Sequence, residues 1–66
     1  MSAETHNRLA PELVKQLIGG TTSESEALVV LESVTLGVML YYRPKPYEAG
    51  EVLDSLTASV IERMGA

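Results

Sequence analysis

Residues 23–42 read SESEALVVLESVTLGVMLYY, and the way this stretch folds decides the fold of the chain. Its β-branched residues, Val29, Val30, Val34, Thr35 and Val38, would suit strands on propensity alone. Three features point to helix. The apolar run outlasts an ordinary strand, no turn signal interrupts it, and it opens with a helix start. Ser23 and Glu26 have the Ser-x-x-Glu spacing of a capping box, and Glu24 and Glu26 stand where the helix dipole favours negative charge. The same cluster could be taken for a phosphorylation site, but capping accounts for these residues by local physics. The stretch therefore predicts a helix from about Glu24 to Tyr42.

On a helical wheel its apolar residues fall into two stripes. The wide stripe holds Leu28, Val30, Leu31, Val34, Val38, Met39, Tyr41 and Tyr42; the narrow one holds Val29, Leu36 and Leu40. Glu32 divides them on one side, Ser33 and Gly37 on the other. A helix apolar nearly all round must be covered nearly all round.

The flanks supply two shorter helices. Before it, Leu9, Leu13, Val14, Leu17 and Ile18 make one apolar stripe, with Arg8, Glu12, Lys15 and Gln16 opposite. Proline is tolerated in the first turn of a helix, so Pro11 predicts a start near Leu9 or Ala10 and leaves residues 1–7 as a disordered N-terminal tail. Gly19-Gly20 predicts the stop, through the left-handed backbone that glycine accepts. After it, Arg43-Pro44-Lys45-Pro46 breaks the helix, with Arg43 and Lys45 expected to be extended because each precedes a proline. Tyr41, Tyr42 and Tyr47 are expected to pack around that turn with their rings covered. Pro46 suits the first position of a third helix, in which Ala49, Val52, Leu53, Leu56, Val60 and Met64 form the apolar stripe.

The expected fold is all-α: a three-helix domain over residues 8–66, with helices near 9–19, 23–42 and 46–64 and a long apolar central helix. Short loops make sequential helices antiparallel neighbours, packed in one layer around the middle one. The flanking helices can cover the wide stripe but not both stripes. A 66-residue chain without cysteine has no disulfide to help it, and a single histidine, His6, makes no zinc site. A second copy is the remaining help. Ser33 and Gly37, small and four residues apart, would let two central helices approach closely, so the expectation is a helical-bundle dimer with Val29, Ser33, Leu36, Gly37 and Leu40 at its interface. The competing reading has Gly37 making room for a neighbouring helix of the same chain.

Function is bounded more by exclusion than by motif. The net charge of −4 and five scattered basic residues argue against nucleic acid. The first seven residues lack the basic start and apolar core of a signal peptide. Residues 27–42 are apolar enough to suggest a membrane span, ending in Tyr41-Tyr42-Arg43, but they fall short of about 20 residues and carry Glu32 near the middle. A cytoplasmic protein with no membrane association is the expectation. No histidine in the expected folded part can activate the serines, and the carboxylates of the third helix describe a solvated face, so no catalytic, metal or cofactor-binding residue is assigned. The chain is therefore expected to be a non-enzyme acting by protein–protein interaction: with itself, and with a further protein partner at Tyr42, Arg43, Lys45 and Tyr47. Against that last site stands the reading of the segment as a stiff interhelical turn, which both prolines fit. The alternative function is a small-molecule or cofactor binder, with its pocket between helices of the oligomer.

Overall fold

A computed structural model describes residues 3–65. It is all-α, with three helices in the described residues: α1 (Ala3–Gly19), α2 (Glu24–Tyr42) and α3 (Pro46–Gly65). They fall into two compact units, divided between Leu36 and Gly37. One unit holds α1 and the greater part of α2; the other holds the last turns of α2 and α3.

α1 starts six residues earlier than Leu9. Five of the seven residues expected as a tail, Ala3 to Asn7, are helical, and Met1 and Ser2 lie outside the described residues. Pro11 consequently sits inside the helix, not in its first turn. Its missing N–H leaves the Asn7 carbonyl without its helical donor. Ala3, Glu4, Arg8, Leu9 and Ala10 are strong helix formers, and Glu4 in the first turn suits the dipole. Those local preferences carry the helix past the proline.

The stop of α1 also differs from expectation, since neither Gly19 nor Gly20 has a positive φ. The Gly20 N–H donates to the Gln16 carbonyl at 2.9 Å, and the Thr21 hydroxyl donates to the Leu17 carbonyl at 2.8 Å. Thr21 thus caps the end that a left-handed glycine would otherwise have closed. Gly20 is required for closeness instead: a Cβ there would lie 2.9 Å from the Gln16 carbonyl oxygen.

α2 starts as expected. The Ser23 carbonyl accepts the first helical bond from Ala27 N–H at 3.0 Å, and the Ser23 hydroxyl accepts from Glu26 N–H at 3.1 Å. The reciprocal half of the box is displaced by one residue. The Glu26 carboxylate accepts from the Thr22 N–H (3.4 Å) and hydroxyl (3.3 Å), not from Ser23. Within the helix, the Thr35 hydroxyl donates to the Leu31 carbonyl at 2.9 Å, which satisfies its polar group in an apolar stretch.

The α2–α3 corner corrects a second expectation. Arg43 is not extended; it adopts φ 51°, the left-handed conformation, and its N–H donates to the Met39 carbonyl at 2.8 Å. This is the helix C-cap usually given to glycine, occupied here by arginine. Lys45 is the N-cap of α3: its carbonyl accepts from Ala49 N–H at 2.9 Å, while its own N–H donates to the Glu48 carboxylate at 3.2 Å. Pro46 takes the first helical position, as the sequence predicts. In this unit the half-buried residues are Met39, Pro44, Ala49 and Leu53.

Among the described residues none is buried. In the first unit coverage gathers beside the bend, where Leu17, Thr21 and Ala27 are half-buried. The wide stripe of α2 is therefore not covered in the way its pattern suggested. Met39, in the second unit, is half-buried; in the first unit Val30 comes nearest, at 38% exposed, while Leu31 and Val34 remain about half open.

Candidate self-association surface

The five residues expected at a dimer interface all lie on α2 and are all exposed. In the first unit, Val29 (61% exposed), Ser33 and Leu36 (58%) share one side of the helix. Gly37 and Leu40 (56%) follow in the second unit. A Cβ built at Gly37 meets nothing within 4 Å among the described residues.

A second apolar surface, not singled out from sequence, lies in the first unit. α1 and α2 fold back around residues 20–23, and between them runs an open groove of about 370 Å³. Leu13, Val14 and Leu17 line it from α1, Val30, Leu31 and Val34 from α2, and Gln16 supplies its one polar side chain. Every one of these apolar residues was legible as core-facing from its spacing. The missing signal was that the two stripes together make a trough with no lid.

The corner residues Tyr42, Arg43, Lys45 and Tyr47 are exposed too. The tyrosine rings are not covered by the turn, contrary to expectation: Tyr41 is 80% and Tyr42 76% exposed. Consecutive helical residues point in directions about 100° apart, so one turn cannot shelter both rings. Tyr41 and Tyr42 instead meet edge to face, with centroids 4.9 Å apart and planes at 77°.

Chemistry-bearing groups are dispersed. His6 is exposed on α1, and the described residues contain no group of three or more His, Cys, Asp or Glu placed to hold a metal ion. By length and composition α2 is apolar enough to cross a membrane. Comparison with protein-family models, curated proteins and solved structures found no match to this chain.

Proposed function

We propose that this chain is a non-catalytic, cytoplasmic helical protein whose first act is to bind a second copy of itself, through Val29, Ser33, Leu36, Gly37 and Leu40 of α2. The observation that carries the reading is exposed surface. None of the described residues is buried, and Val29 (61%), Leu36 (58%) and Leu40 (56%) lie open on α2. The open space at Gly37 supports α2 as the line of closest approach, because two backbones can meet there without displacing a side chain. The corner with Tyr42, Arg43, Lys45 and Tyr47 is the surface we assign to a further protein partner, for its exposed rings and two cations.

A lipid bilayer would also cover α2. Its 19 residues rise about 28 Å, close to the hydrocarbon thickness of about 30 Å. Glu32 stands midway along that length, where a carboxylate is costly in lipid but tolerable at the rim of a protein contact. Sedimentation at tens of micromolar tests the proposal. Two copies or more are expected; a single copy of about 7 kDa would overturn it. Gly37→Glu should break the assembly, and Glu51→Lys, a charge change on α3, should leave it intact.

A further inference from the structure

We infer that the α2–α3 corner takes an acidic segment of another protein, with carboxylates held by Arg43 and Lys45 and the segment laid against the tyrosine rings. This rests on the assignment of the corner to a protein partner and names the chemistry of that partner. Every residue that forms the site lies in the second unit.

Charge singles the corner out. The chain carries −4 overall, yet residues 33–47 hold Arg43 and Lys45 and no acid. Each of the three cations outside the corner has a carboxylate within four residues: Arg8 has Glu4 and Glu12, Lys15 has Glu12, and Arg63 has Glu62. Arg43 has none, and its exposed guanidinium has no partner among the described residues. Lys45 has Glu48 three residues on, but that carboxylate accepts from the Lys45 backbone N–H at 3.2 Å, and the lysine side chain stays exposed.

The backbone singles out Arg43 again. It stands at φ 51°, which a Cβ disfavours, and the proline that follows it favours extended backbone there instead. Glycine would sit there with less strain. No contact of the arginine side chain within the described residues offsets that strain, and strain kept at an exposed charged residue marks a binding position. Pro44 and Pro46 fix φ on either side of Lys45. Two residues of chain span at most about 7 Å, so both cations stand ready for one segment and little ordering is lost on binding.

The rings supply the apolar half. Tyr41 is 80%, Tyr42 76% and Tyr47 66% exposed, and the first two meet edge to face at 4.9 Å. Tyrosine and arginine are the types on which protein contacts concentrate their energy. Other polyanions fit less well. Attraction to an anionic lipid surface uses clusters of about four to eight Lys or Arg, and DNA rewards a basic face that a chain of net charge −4 lacks.

The test is fluorescence anisotropy with a labelled peptide in which glutamate alternates with proline, beside a counterpart with glutamine in place of glutamate. The glutamate peptide should bind saturably and more weakly as salt rises; the glutamine peptide should bind about tenfold more weakly. Arg43→Gly should weaken binding of the glutamate peptide about fivefold while raising the urea midpoint and leaving the sedimenting mass unchanged. Lys45→Gln should weaken it similarly, and Lys15→Gln, on α1, should not. Should Arg43→Gly lower the midpoint, Arg43→Gln, which keeps a polar side chain and loses the charge, decides in its place. Equal binding of both peptides, lost in Tyr42→Ala but not in Arg43→Gly, would overturn the acidic partner and leave the corner standing as a protein contact. Binding of neither peptide, or binding blind to every corner variant, would overturn both. Tighter binding of phosphatidylserine vesicles or a short DNA duplex through the same two cations would overturn the protein partner.

Discussion

At the scale of single residues, Gly19 and Gly20 are neighbours with opposite demands. A Cβ at Gly19 meets nothing within 4 Å, whereas one at Gly20 meets the Gln16 carbonyl oxygen. Gly19→Ala should therefore be neutral or stabilising by up to about 1 kcal/mol, from helix propensity. Gly20→Ala should destabilise by about 1–2 kcal/mol, because the bend must open to admit the methyl group. Urea midpoints followed by circular dichroism separate the two, and equal effects would mean that the bend is not this tight. Arg43 presents the reverse case, a side chain where the backbone favours none. Left-handed backbone costs a residue with a Cβ about 1–2 kcal/mol. Arg43→Gly should raise the midpoint, by somewhat less than that because glycine loses more freedom on folding. A lowered midpoint would show that the guanidinium contributes more than the strain. The two positions explain what was legible. Gly-Gly announced a stop but not its geometry, because Thr21 had a hydroxyl able to do the capping. The left-handed residue at Arg43 was hidden, because the sequence signal for it is a glycine and none is there.

At the scale of elements, the helix starts written in side chains were read correctly and the one written in a prohibition was not. Ser23 at the head of α2 bonds to Glu26 and Lys45 at the head of α3 to Glu48, each three residues away, and Pro46 acts through its own fixed φ, so a short window contains the whole cause. Pro11 seemed to forbid helix before it. In fact a proline removes one hydrogen bond and strains one turn, and good helix formers upstream can continue through it. The consequence is a measurable weak point. Pro11→Ala restores a donor to the Asn7 carbonyl and should stabilise α1 by up to about 3 kcal/mol. The new amide should be protected from hydrogen exchange, and the helical signal should rise. An unprotected amide with no gain in stability would mean that residues 3–10 are not helical in solution. The apolar stripes were legible by the same local logic. Periodicity states which side of a helix is apolar, but nothing within seven residues states what lies against it, so the open groove between Leu13 and Val34 had no sequence signature.

At the scale of the molecule, none of the described residues is buried, and the proposed self-association would tie folding to assembly. If copies of the chain cover one another, the folded state is stabilised by mass action, and the thermal midpoint should climb with protein concentration. A midpoint unchanged over a hundredfold dilution would remove that link. The same link reaches beyond the test tube. Proteases cut open chains, and the share of chains that are open falls as copies find one another. A newly made molecule in a cell holding few others is exposed to degradation, whereas one made among many is sheltered. Abundance would then reinforce itself: below a certain level the protein would be cleared as fast as it was made, and above that level it would persist.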